Sequence, residues 1–112
     1  MKKLIGIIFI AYSVLWTGSA NAATFYLPDT TVARVEFYSS QFTIYLDKNF
    51  PANSCRTAPS GAVAMDSATE PGKSHMAALL TAMVSGKKVN MYARDNLCSG
   101  DRMTIDHFNI DN

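Results

Sequence analysis

Three features of this 112-residue chain predict a mainly β domain with one helix. Several segments alternate apolar and polar side chains, the period of a strand with one buried face. A single stretch, Met76 to Val84, carries apolar residues at helical spacing. Two cysteines, Cys55 and Cys98, follow an N-terminal export signal and offer a staple. With roughly five strands and the helix between the third and fourth (β-β-β-α-β-β), the simplest closed arrangement is a small OB-fold-like five-stranded barrel capped by the helix. Closure removes the edges that a lone sheet would expose. An open sheet with the helix across one face is the competing architecture.

The chain opens with Lys2 and Lys3, an apolar run from Leu4 to Trp16, and Gly18-Ser19 ahead of Ala20-Asn21-Ala22. That order makes a secretory signal peptide with cleavage expected after Ala22. Residues 1–22 are therefore read as signal peptide and 23–112 as a single OB-like domain, secreted or periplasmic. The apolar run falls short of the roughly 20 residues that cross a bilayer, so no membrane span is expected in the mature chain. At about 90 residues a single core is marginal and a staple helps. Joining Cys55 to Cys98 would close a loop of about 44 residues, worth roughly 4 kcal/mol in the chain-entropy model. Two thiols or an intermolecular bridge are the alternatives.

After a lead containing Leu27-Pro28-Asp29, Ala33 to Tyr38 alternates as a first strand. Ser39-Ser40-Gln41 is the turn, and Phe42, Ile44 and Leu46 alternate with Thr43, Tyr45 and Asp47 in the second strand of a hairpin. Lys48 to Ser60 holds two prolines, two asparagines and Cys55 and reads as a loop. Gly61 to Met65 is a short third strand. Glu70 to Ser74 leads into the helix, with Ser74 or a neighbour as cap. There Met76, Leu79, Leu80, Met83 and Val84 share one face, and Gly86 supplies the left-handed stop. So short a helix needs a sheet beneath that stripe. From Lys87-Lys88 a fourth strand points Val89, Met91 and Ala93 inward and Asn90 and Tyr92 outward, and Asp95 to Asp101 is a turn carrying Cys98. In the last strand Met103 and Ile105 share one phase and Phe108 and Ile110 the other. A bulge near Asp106 and His107 reconciles them.

Without Lys2 and Lys3, eight basic residues face nine acidic ones, and Lys87-Lys88 is the only basic doublet. A nucleic-acid binder needs a clustered positive face to displace counterions, so nucleic acid is not an expected partner. His75 and His107 each neighbour a serine or an aspartate in sequence, but adjacency does not build the geometry of a hydrolytic triad, and no catalytic residues are assigned. The sequence holds no H-E-x-x-H, C-x-x-C or glycine-rich phosphate loop. Two histidines and two cysteines expected to be oxidised make a poor zinc site, so neither a metal nor a cofactor is expected. Met76 and Met83 are read as core filling, with a methionine-lined partner groove as the alternative. Tyr38, Tyr45 and Tyr92 fall on the outward phase of strands. An exposed tyrosine offers an aromatic face and a hydroxyl, suited to sugar rings or protein partners, although aromatics also favour strands for packing alone.

An exported chain with a strand hairpin, a cysteine, a helix followed by Gly86-Lys87-Lys88-Val89, a tyrosine-bearing strand and a second cysteine resembles the B subunits of subtilase-cytotoxin and typhoid-toxin type. The resemblance spans Thr31 to Asn112. It implies an OB-like barrel, assembly into a pentamer, and recognition of sialylated glycans. In those subunits a tyrosine pair on the strand after the helix touches the sugar, and this chain reads Tyr92-Ala93 there. A serine near the first strand has its counterparts in Thr30 and Thr31. The expectation is a non-catalytic secreted binding protein for a glycan or surface receptor, with Tyr92, Arg94, Tyr38 and Tyr45 as binding residues and self-association into a homo-oligomer. Arg94 is the candidate partner for a carboxylate. A periplasmic or secreted structural module that holds another protein is the alternative.

Overall fold

The computed structural model describes residues 24–112, and the expected export signal lies outside the described residues. Six strands and one helix follow in the order β1 (Thr24–Thr30), β2 (Val32–Phe37), β3 (Gln41–Phe50), β4 (Ser60–Asp66), α1 (Gly72–Ser85), β5 (Lys88–Ser99) and β6 (Arg102–Asp111). They form one sheet ordered β1-β5-β6-β4-β3-β2. All pairs are antiparallel except β4 with β6. The domain is thus mainly β with one helix, but it has six strands rather than five.

The additional strand is the lead segment. It reads as a lead without a strand of its own, yet β1 is an edge strand, where Pro28, a residue without an N–H, is tolerated. The register shifts between Leu27 and Thr30, and Asp29 takes the left-handed conformation (φ 55°) that aspartate accepts more readily than most residues. The sheet is also not closed into a barrel. β1 and β2 stand at its two ends without pairing with each other, and only Thr31 separates them in sequence. The sheet must therefore curl until its edges meet end to end. Counted as one strand bent at Thr31, β1 and β2 give the strand order of a partly open OB-like Greek key.

The inward alternation holds for the apolar residues of β3, β5 and the start of β6, but not in β2, where Ala33 and Phe37 are exposed, and the outward-phased Thr43 is buried as well. Phe42, Ile44 and Leu46 of β3, Val89, Met91 and Ala93 of β5, and Met103 and Ile105 of β6 are all buried. The bulge expected in β6 is present: Tyr92 faces His107 and Ala93 faces Ile105, so Asp106 is the extra residue. β5 runs on to Ser99 through a second irregularity, which places Cys98 in the strand rather than in a turn. The Cys55–Cys98 disulfide ties it to the loop after β3.

The helix begins at Gly72, earlier than Ser74, and Ser74 is not its cap. Instead, the N–H and hydroxyl of Ser74 both donate to the Glu70 carboxylate (3.2 and 2.7 Å). Gly72 is required by close approach, since a Cβ there would lie 1.6 Å from the Asp66 carbonyl oxygen. Gly86 ends the helix at φ 68°, its N–H and the next returning to the last turn. The buried face runs through Gly72, Leu79 and Ala82, with Met76 and Met83 packed beside it, and it lies against β2 and β4. Val84 does not belong to that face and is 83% exposed.

Leu79→Ala should cost about 2–5 kcal/mol, as for a fully buried leucine, whereas Val84→Ala should stay within about 0.5 kcal/mol; urea melts of the two variants check the contrast. Replacing both cysteines by serine should cost about 2–5 kcal/mol, read as a lower melting temperature that matches that of the reduced wild-type chain.

Candidate functional site

The outer face of the sheet carries the polar and aromatic side chains, because the strand period sends every second residue away from the core. Three rings form a ladder across β1, β5 and β6. Tyr26, Tyr92 and His107 face one another in register. Tyr26 stacks on Tyr92 at 4.3 Å between centroids and Tyr92 on His107 at 4.1 Å. Stacks of this kind add about 0.5–1.5 kcal/mol per pair beyond the area they bury. Tyr92 is therefore not the free platform that its outward phase suggests. Both its faces are covered, and what it presents is an edge and a hydroxyl. Tyr26, half exposed on the edge strand, is the terminal ring.

Polar groups frame the ladder. Arg94, two residues beyond Tyr92 on the same face, lies 3.5 Å from Asp106, whose carboxylate also hydrogen-bonds His107 Nδ1 at 2.6 Å. The bulge thus aims Asp106 at both groups. The Nε of Arg94 is buried and has no partner among the described residues. On the other side, Asn90 donates to Asn109 and Asp111 (2.6 and 2.9 Å) and accepts from the Asp29 N–H (2.9 Å).

Tyr38 and Tyr45 belong to a different cluster, on β2 and β3. Both hydroxyls donate to Glu36, at 3.0 and 2.7 Å, and hold its carboxyl below the usual range, Tyr45 more than Tyr38. Arg102 donates to the Tyr45 hydroxyl at 3.2 Å, and the Arg34 guanidinium lies 4.1 Å over the Tyr45 ring. Tyr38 itself sits just past the end of β2, where its N–H closes the turn onto the Gln41 carbonyl. The four candidate residues therefore do not converge. Tyr92 and Arg94 share one site, and Tyr38 and Tyr45 are spent in a network of their own.

A third group stands at the junction of β1 and β2. The Thr30 hydroxyl and the Thr31 N–H both donate to the Asp47 carboxylate, the latter at 2.9 Å, and the Asp47 N–H donates to the Thr31 carbonyl at 3.0 Å. The Thr30 hydroxyl first, then the Thr31 N–H, bring the Asp47 carboxyl from its ordinary 3.8 down to about 2. His75 sits edge-on to Phe108 at 5.0 Å, with Nδ1 beside the Met65 sulfur. Among the described residues no group of three or more histidines, cysteines or acidic residues is placed to hold a metal, and no helix is long and apolar enough to cross a membrane.

Tyr26 and His107 escaped the residue pattern because their value lies in a cross-strand register. The alternation of Phe25, Tyr26 and Leu27 is the signal that marks Tyr26 as outward, once the lead is known to be a strand. Comparison of the chain with protein-family models, curated proteins and solved structures finds no match.

The folded-state pKa of Asp47 lies below its unfolded value, so its contribution is complete above about pH 4 and is lost as pH falls through about 2. Urea melts over that range should show a shallower loss of stability in Asp47→Asn than in the wild type. Equal slopes would remove the carboxylate clamp from the stability account.

Proposed function

We propose that the mature chain is a non-catalytic exported binding protein that recognises a glycan or surface receptor through the outer face of β1, β5 and β6. The observation that carries the reading is the Tyr26–Tyr92–His107 ladder with Arg94 beside it. A sugar ring has an apolar C–H face and a rim of hydroxyls. The terminal ring of Tyr26 suits the face, and the Tyr92 hydroxyl and the exposed part of the Arg94 guanidinium suit the rim. Because the rings rest on strands and on one another, little side-chain entropy remains to be lost on binding.

The resemblance to toxin B subunits adds two finer proposals, sialylated ligands and a ring of five copies. Arg94 is the natural partner for a sialoside carboxylate, since guanidinium–carboxylate pairs are among the stronger hydrogen bonds. The alternative, a structural module that holds an envelope protein, draws on the side of α1 where exposed Val84 and half-buried Leu80 form a shallow apolar hollow with Thr81 and Ser85.

A glycan array probed with the mature chain should give sialoside signals that fall at least about tenfold in Tyr26→Ala and Tyr92→Ala, the scale of one lost aromatic contact. Native mass spectrometry should give five times the monomer mass. An empty array together with a monomer would overturn the glycan reading in favour of the protein-holding one.

A further inference from the structure

The outer face holds a second concavity, on the side of Arg94 away from the ladder. Arg94 pairs across the sheet with Thr104, and Thr104 lines a pocket of about 390 Å³ over the outer face of β3, β4 and β6. That volume lies at the small end of the roughly 300–1,000 Å³ typical of small-molecule sites. Its floor is shallow because Ala64 occupies the centre, and polar walls rise from Gln41, Asp66, Ser99 and Thr104. Leu97, 54% exposed, supplies apolar surface.

The polar groups are fixed by the protein. The Ser99 hydroxyl donates to the Gln41 side-chain oxygen, and the Thr104 hydroxyl donates to the Leu97 carbonyl at 2.6 Å. Leu97 and Ser99 flank Cys98, so the disulfide anchors that wall. Asp66 accepts from the Ala68 N–H at 2.7 Å and the Thr69 hydroxyl at 2.9 Å. An ionised carboxylate offers about four acceptor positions, more than these bonds use. Those same bonds, the Ala68 N–H foremost, hold Asp66 below the usual carboxylate range and keep it charged at neutral pH. Among the described residues no basic side chain lines the pocket.

We propose that this pocket is a binding site for a single uncharged pyranose, with Asp66 accepting from neighbouring ring hydroxyls and Leu97 lying against the C–H face. The inference rests on the glycan reading above and sharpens it. A fixed negative charge without a compensating cation disfavours an acidic sugar, so any sialic acid belongs at Arg94 and the neutral unit belongs here. Paired acceptors and donors beside an apolar wall match the alternation of hydroxyl rim and apolar face on one sugar ring.

The test is a titration of the mature chain, followed by amide chemical shifts, with methyl glucoside, methyl galactoside, methyl N-acetylglucosaminide and free sialic acid. At least one neutral glycoside should shift Gln41, Leu97 and Ser99, and sialic acid should not. Asp66→Asn and Leu97→Ala should each weaken that binding at least about tenfold. Leu97→Ala alters an exposed side chain and keeps the test open if Asp66→Asn loosens its turn. No shift with any neutral glycoside, or an equal response to sialic acid, would overturn the inference. Array signals that depend on Tyr26 and Tyr92 without any pocket response would sink the pocket and leave the ladder reading standing. A pocket response with an empty array would do the reverse.

Discussion

Every strand in this domain is placed by the requirement that one residue, Thr31, bridge the two edges of a six-stranded sheet. A flat sheet of this size separates its edge strands by five inter-strand steps of about 4.8 Å, far beyond the reach of a single residue at roughly 3.3–3.6 Å. The sheet can satisfy that link only by curling. Asp47 holds the curl shut. Its carboxylate receives the Thr30 hydroxyl and the Thr31 N–H, and its own N–H returns to the Thr31 carbonyl. The seam thereby gains hydrogen bonds at the point where the ladder stops, and Thr30 is buried without an orphaned hydroxyl. The left-handed turn at Asp29 belongs to the same device, because it lets β1 leave its register with β5 just before the crossing.

Curling also decides what the outer face can do. One row of paired residues crosses the whole sheet, from Glu36 through Thr43, Ala64, Thr104 and Arg94 to Thr24. Its middle is made of small side chains and its flanks of charged ones. The small residues leave the trough that the Leu97 wall closes into a pocket. The two charged members of the row are held by neighbours, Glu36 by the Tyr38 and Tyr45 hydroxyls and Arg94 by Asp106.

How far the sequence could be read follows from where each signal lies. Local signals were legible: the phase change that places a bulge at Asp106, the helix stop at Gly86, the inward run Val89, Met91 and Ala93, and the pairing of the two cysteines. Signals that depend on partners were not. The segment holding Pro28 and Asp29 reads only as a lead until β1 is known to be an edge, and a closed five-stranded barrel follows naturally once that strand is overlooked. Val84 fits the same helical stripe as Leu80, whereas the true buried face is centred on Leu79 and uses Gly72 and Ala82, too small to register as apolar anchors. The outward tyrosines were correctly phased, but phase alone could not tell that Tyr45 is engaged by Glu36 and Arg102 or that Tyr92 is covered on both faces.

That last distinction bears on how the surface would recognise anything. A solitary exposed tyrosine is a mobile platform and must be ordered on binding, at about 0.5–1.5 kcal/mol per side chain. Three rings stacked in register on neighbouring strands have already lost that freedom, so contact with the ladder costs less than contact with scattered aromatics. The stack also restricts the geometry of approach. With the faces of Tyr92 covered, a ligand can meet a ring face at Tyr26 or His107 and elsewhere only edges and hydroxyls. A ladder of this kind therefore favours a ligand that alternates apolar and hydroxylated surface over one that is uniformly apolar, which would need the faces the stack conceals. The side of the helix with exposed Val84 and half-buried Leu80 has the opposite character, apolar and without a charged neighbour among its lining residues. The fold thus separates its two kinds of exposed surface, polar-aromatic on the sheet and aliphatic on the helix, and the chemistry of a partner decides which of them it can use.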